Sequence, residues 1–280
     1  GNKNFRDRIK KELGSVTDLS KVKLAPYYPH DPVLVDDWAA YLDSVRLTDK
    51  FTGDIIQRLK DEGDYENTVV LFMTDHGISH ARGKQFLYDE GLHIPLIIAG
   101  PGLEAGQKRD DLIEHIDIAA LSLGIAGIEI SKHMQAKDIL AEDYKNRNTI
   151  YAARDRCDET VEYLRGLRTQ RYKYIRNYLY QRPHLQPNRY KDKKDIIIAL
   201  RAAHKAGSLN EAQEMIFNVP RPKEELYDLK NDPYEINNLA NDPKYKKQLD
   251  RFSKRLDTWI KKTGDKGPES DVMYDSDMAV

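Results

Sequence analysis

The chain has 280 residues, with 45 Lys and Arg against 46 Asp and Glu and a formal net charge of −1. That length allows one large domain or two modest ones, and the balanced charge excludes the basic excess of a nucleic-acid-binding surface. Apolar runs stop at five or six residues, far short of the roughly 20 that span a bilayer, and a single cysteine, Cys157, excludes an internal disulfide framework.

The opening GNKNFRDRIKKELG is polar and does not read as a secretory signal. Residues 1–35 read as irregular approach structure, because Pro26, Pro29 and Pro32 interrupt any regular element. From Asp36 to about Asp61, Trp38, Tyr41, Leu42, Val45, Ile55, Ile56 and Leu59 recur at helical spacing. Asp36 and Asp37 sit where a helix N-terminus favours negative charge. A strand is expected at 68–74, a loop to about 92, and a second strand at 94–99 closed by Pro101-Gly102. Asp110 and Asp111 open another expected helix that closes at Gly127.

From about residue 149 the texture changes. TIYAARD reads as a strand, and YLRGLRTQRYKYIRNY as a hairpin turning near Thr169 and Gln170. Helices are expected around 193–206 and 209–217, and a strand at ELYDL (225–229). Leu249, Phe252, Leu256 and Ile260 then form a helical stripe, and the acidic end from Asp265 onward has little packing capacity. The chain thus divides into an α/β unit at 1–148 with parallel-type strands and a unit at 149–280 with a small antiparallel sheet and helices. Two or three parallel strands leave apolar edges open, so the first unit reads as incomplete.

The densest chemistry lies in NTVVLFMTDHGISHARGKQFLYDEGLHIPLIIAGPG, residues 67–102. An apolar strand stops at Asp75-His76-Gly77, and strand carboxyl ends are where open α/β sheets keep their sites. An oxygen ligand beside a nitrogen ligand suits a divalent cation such as Ca²⁺, Mn²⁺ or Zn²⁺. Gly77 permits a sharp turn, and Lys84 offers a point charge to an anionic substrate.

This stretch resembles the second signature region of the sulfatases, in the alkaline-phosphatase-like superfamily. The resemblance implies that Asp75 and His76 bind the metal, Ca²⁺ first among the candidates, and that Lys84 contacts the sulfate and serves catalysis. It places His80 loosely in the same pocket and gives Tyr88, Glu90 and Gly91 a part in positioning the loop. DDWAAYLDSVRLTDKFTGDIIQRLKDEG, with Asp49 and Gly53 at familiar positions, resembles the preceding helix of the family, and LIEHIDIAALSLGIAGI the following one. LRGLRTQRYKYIRNY and ELYDLKNDPYEINNLA resemble its C-terminal subdomain. AARDRCDETVEYLRGLRTQRYKYIRNY is most similar to glycosaminoglycan sulfatases, the heparan N-sulfatase group in particular. By that analogy Arg154, Asp155 and Arg156 are substrate contacts, since guanidinium groups suit a polyanionic sugar; the bland reading is a strand-edge ion pair. The implied fold is part of an alkaline-phosphatase-like sandwich, a mostly parallel sheet with helices, followed by the antiparallel subdomain. The implied compartment is periplasmic or secreted.

Sulfatases attack sulfur with a formylglycine made from Cys or Ser in a Cys/Ser-x-Pro-x-Arg motif. Cys157 is followed by Asp-Glu-Thr, and no Ser or Cys has Pro two positions on. The paired aspartates that supply the family's other metal ligands at the end of an early strand are missing too; Asp36-Asp37 and Asp110-Asp111 read as helix N-terminal charges, and Cys157 as a buried free thiol. The expectation is therefore the C-terminal portion of a sulfatase acting on sulfated sugars and inactive alone. Its formylglycine would lie in an N-terminal half, which, or an oligomeric partner, would cover the open sheet edges. The alternatives are a metal-dependent phosphoesterase of the same superfamily, which needs a further His ligand that His93, His115 and His133 do not obviously supply, and an inert truncated product.

Overall fold

The computed structural model describes residues 2–268. The expectation for the acidic end falls mostly on residues 269–280, which lie outside the described residues; Asp265, at its start, binds Arg165 (Oδ1 to Nη2, 2.8 Å).

The N-terminal segment is helical where irregular structure was expected. Helix α1 (Asn2–Leu13) buries Ile9 and lays Arg6 Nε 3.0 Å from Asp43 Oδ2 on helix α2 (Pro32–Glu62). Asp43 is fully buried and also accepts from Thr17 N at 2.8 Å. A charge so enclosed is stable only when paired and hydrogen-bonded, so this helix depends on a contact 37 residues away. Helix α2 starts four residues before the apolar periodicity does. The Asp31 carboxylate accepts from Val33 N at 2.8 Å and Pro32 takes the first helical position, where its missing N–H costs nothing. Asp36 and Asp37 are therefore one turn inside the helix, pairing with Arg6 and His80 respectively instead of capping it.

Strands β1 (Val70–Met73) and β2 (Leu96–Ala99) follow in the expected places but pair antiparallel, Val70 opposite Ala99 and Met73 opposite Leu96. A parallel pair needs a crossover of a dozen residues or more, usually a helix packed on the sheet. Here the connection contains only the single turn α3 (Asp89–Leu92), and the rest is a coiled loop. The pair stays half-covered, and Ile97 is 59% exposed. Helix α4 (Asp117–Ile125) begins at Asp117, not at Asp110. Asp117 is fully buried and gathers the N–H groups of Glu114 and Lys137 (2.9 and 2.8 Å) and the Arg147 guanidinium. These long-range donors place the helix start, and Asp111 is left to Arg109.

The second unit follows the alternation read from its sequence. Strands β3 (Ile150–Cys157), β4 (Thr160–Arg168), β5 (Tyr172–Asn177) and β6 (Glu224–Asp228) form one antiparallel sheet in that order. Between β5 and β6 run α5 (Arg189–Asp192), α6 (Asp195–Lys205) and α7 (Glu211–Glu214). Alternate residues face opposite ways. Leu167, Tyr174 and Leu226 meet Leu249, Phe252 and Leu256 of helix α8 (Lys246–Thr263). Leu164, Ile175 and Tyr227 face the other way, onto Phe86, Leu87 and Tyr88 of the motif loop and Ile196, Ile197 and Leu200 of α6. The sheet thus carries a closing helix on one face and the motif loop on the other. The α/β class with a small antiparallel C-terminal sheet is as expected.

Candidate active site

The loop from Thr74 to Gly91 is wound so tightly that backbone meets backbone. A Cβ on Gly77 would stand 1.9 Å from the Glu90 carbonyl oxygen, and one on Gly83 1.9 Å from that of Ile78. No side chain survives such approaches, which explains both glycines better than turn conformation does. Gly77 N donates to Gly91 O (3.0 Å) and Lys84 N to Ile78 O (2.8 Å). Gln85 holds a left-handed φ of 86°, an uncommon conformation for a residue with a side chain. It is fixed from both ends: its carbonyl accepts from Arg154 Nη1 at 2.6 Å and its amide donates to Cys157 Sγ at 2.9 Å.

Three buried cations hold this loop to the second unit. Arg82 donates to the carbonyls of Tyr234 and Glu235 (2.7 and 2.5 Å), with its guanidinium carbon 4.3 Å and 3.9 Å from the Tyr27 and Tyr88 ring centres. Lys191 Nζ donates to the carbonyls of His80 (3.0 Å) and Lys84 (2.6 Å). Its burial, with Arg154 and Lys194 nearby, lowers its pKa to about 7. The third is Arg154. The loop's aromatic end is anchored by Tyr88, whose hydroxyl donates to Glu225 at 2.8 Å, and Tyr28 donates to Glu90 at 3.1 Å. Burial raises the Glu90 carboxyl above its usual range.

At the end of β1, the Asp75 side chain is 86% exposed and that of His76 33%, with Oδ2 and Nε2 3.4 Å apart. That separation lets one divalent ion, whose bonds to oxygen and nitrogen run about 2.0–2.5 Å, touch both. His76 Nδ1 lies 2.7 Å from Gly77 O, the orienting contact that metal-bound histidines use. The pair fits a metal as part of a ligand set: no group of three or more His, Cys, Asp or Glu side chains gathers among the described residues. His115 comes within 3.1 Å of the Thr74 carbonyl beside this pair, and the Thr74 hydroxyl is buried without a partner.

The other residues singled out in the sequence are dispersed. Lys84 is half-buried, its Nζ 5.1 Å from the Tyr190 ring centre. His80 is 6% exposed, packed on Trp38 and Tyr41 with Nε2 2.6 Å from Asp37 Oδ2. Arg154 lies under the loop, Asp155 pairs with Arg165 across the sheet at 2.6 Å, and Arg156 turns out toward the Asp158 carbonyl. A register shift between Arg154 and Arg156 separates them further. These three do not form one surface, because a strand sends neighbouring side chains to opposite faces. Cys157 is half-buried, not buried, since it ends β3 at the hairpin turn.

Sequence reading passed over Arg82, Lys191, Tyr190 and Lys194. The i, i+3 spacing of Lys191 and Lys194 was a faint signal that both face one way, but their partners lie more than 100 residues away.

Residues 4–128 match the sulfatase family model, and residues 76–197 that of the N-sulphoglucosamine sulphohydrolase C-terminal region. An ulvan-active sulfatase of Formosa agariphila is 38% identical over 91% of this chain and 43% of its own length. Human N-sulphoglucosamine sulphohydrolase is 25% identical over 86% of this chain and 51% of its own. The solved structure of a 2-O glycosaminoglycan sulfatase superposes with a TM-score of 0.61 at 23% identity, over 89% of this chain and 51% of that one. The chain spans about half the length of the curated relatives it matches. Two sulfatase-derived models overlap on residues 76–128, which carry His76 and Lys84, and nine-tenths of the chain aligns with a sulfatase: the chain belongs to the sulfatase family.

Proposed function

We propose that this chain supplies the metal- and sulfate-binding side of an active site that hydrolyses sulfate esters or N-sulfate groups of sulfated sugars. The observation that carries this reading is the exposed Asp75–His76 pair at the end of β1, on a loop that also presents Lys84. Asp75 and His76 would hold a divalent ion, Ca²⁺ in the first instance and Mn²⁺ or Zn²⁺ as alternatives; bound there, it would stabilise negative charge on a sulfate oxygen. Lys84 would offer an ammonium group to the charge that develops on that sulfate. His80, set by Asp37, lines the protein side of the loop.

No Cys/Ser-x-Pro-x-Arg motif occurs in the 280 residues, so this reading draws the nucleophile and the remaining metal ligands from polypeptide outside them. The exposed flank of β1 and β2, with Ile97, is then where the rest of the catalytic fold or a partner subunit packs. No helix among the described residues is long and apolar enough to cross a membrane. A periplasmic or secreted location accords with a sugar-directed sulfatase.

Calorimetric titration with Ca²⁺, Mn²⁺ and Zn²⁺, followed by a sulfated and a phosphorylated glucosamine, tests the reading. Metal binding that disappears in Asp75→Asn and His76→Ala, with preference for the sulfated sugar, supports it. Preference for the phosphorylated sugar would favour a phosphoesterase site instead, and absence of metal binding would leave an inert scaffold.

A further inference from the structure

Lys84 does not stand alone. Lys194, at the start of α6, brings its Nζ to 4.4 Å from the centre of the same Tyr190 ring that Lys84 approaches to 5.1 Å. The ring is 45% exposed. Its hydroxyl shares a 3.0 Å hydrogen bond with Ser79 Oγ, and Lys194 Nζ donates to both Ser79 O and Ser79 Oγ at 2.8 Å. The motif loop and the α5–α6 segment are thereby tied into one rim, three residues beyond His76. Neither ammonium group meets a carboxylate among the described residues. Asp192, two residues before Lys194, is engaged by Arg201 at 2.7 Å.

We infer that Lys84, Tyr190 and Lys194 form an anion-binding subsite that selects sugars carrying a second anionic group, a sulfate or carboxylate, beside the sulfate under attack. The inference rests on the proposed role of Lys84 at that sulfate and extends it to residues of the second unit. Two like charges held around one ring repel each other, and a ring face offsets only part of that cost. A ligand with two anionic groups relieves it, whereas a monosulfated sugar needs only one of the two cations. The local potential is visible in Tyr190 itself: the Ser79 hydrogen bond first, then the charges of Lys194 and Lys84, lower its phenol below the ordinary value. The buried cations Arg82 and Lys191, by contrast, donate to backbone carbonyls inside the fold.

The test is calorimetry on the full 280-residue chain in calcium-containing buffer, with glucosamine N-sulfate and glucosamine carrying both N- and 6-O-sulfates. The wild type should bind the disulfated sugar about tenfold more tightly, the scale of one charge-assisted contact. Lys194→Gln should bring that ratio close to one while monosulfate binding holds, and Lys194→Arg, which keeps the charge, should retain most of the preference. Equal affinities in the wild type, or an unchanged ratio in Lys194→Gln, would overturn the inference and leave the proposed function standing. If Lys194 merely bracing Ser79 were its whole role, Lys194→Gln would weaken both sugars alike, and that result also overturns it. A wild-type chain that takes up metal but neither sugar would overturn the proposed function along with the inference.

Discussion

Glu162 and Arg221 meet at 2.5 Å in the second unit with neither side chain exposed, whereas Asp75 at the end of β1 leaves 86% of its side chain in solvent. Around the first pair the side chains are linked into one buried network. His184 lies within 3.2 Å of Arg221 and 3.1 Å of Glu225, and Glu225 also accepts from Tyr88, Tyr227 and Asn177. Around the second, Asp75 and His76 have chiefly each other, and Lys84 has an aromatic ring and, among the described residues, no carboxylate. Charge of the first kind stabilises a particular arrangement of the chain. Charge of the second kind contributes little to folding and remains available to a ligand. Burial and pairing therefore separate architecture from chemistry among residues that look alike in sequence.

The comparison breaks most directly at Arg221. Arg221→Met strands the buried Glu162 carboxylate, and removing one partner of such a pair costs about 3–5 kcal/mol. Urea denaturation measures it; a loss below about 1 kcal/mol would place this pair with the surface charges.

Acid should act on the same region next. Burial pushes the Glu225 carboxyl up, but His184 and the hydrogen bonds from Tyr227 and Asn177 outweigh it and hold the group down to about 2. The unfolded carboxyl takes up its proton near the ordinary value of 4.5. The stabilisation is thus complete above about pH 4.5 and is lost as pH falls toward 2, on the order of 3 kcal/mol from this group. Unfolding free energy measured against pH should fall through that window, and less steeply in Glu225→Gln.

Gly77→Ala joins the two regions. The new methyl meets the Glu90 carbonyl and must displace the loop that rests on the sheet, at a cost of about 1–3 kcal/mol. Divalent-ion affinity should fall with it, because Asp75 and His76 ride on the displaced turn; calorimetry and denaturation on one variant read both effects.

The smallest expected change in stability is that of Asp75→Asn, within about 0.5 kcal/mol for an exposed side chain. Its metal affinity should nevertheless drop at least about tenfold, loss of a ligand exceeding loss of a supporting contact. If stability fell with it, Asp75 would belong to the architecture.

Some of this was legible in the residue pattern. The strand-like run Tyr163–Asn177, with a turn near Thr169 and Gln170, marked a hairpin, and the sheet it joins is buried on both faces, Leu167 and Tyr174 toward α8 and Leu164 and Ile175 toward the motif loop. The stripe Leu249, Phe252, Leu256 specified α8 in the same way. The end of β1 marked the candidate site, since an apolar run cannot absorb Asp75, His76 and a glycine without stopping. Helix α1 was not legible, because it depends on Arg6 reaching Asp43 on another helix. Arg154, Asp155 and Arg156 invited a shared role that the pleat and the register shift divide.

By itself the sequence determined where periodic segments begin to bury apolar faces, where they break, and which residue types stand at the break. Those are local properties, set by neighbours within a few positions. Only the tertiary structure decided that β1 and β2 run antiparallel, that Arg82 and Lys191 are spent on carbonyls of distant loops, and that Lys194 joins Lys84 on one tyrosine. The physical reason is range: a hydrophobic period is written along the chain, but a charge acquires its role from whatever partner folding brings within about 4 Å.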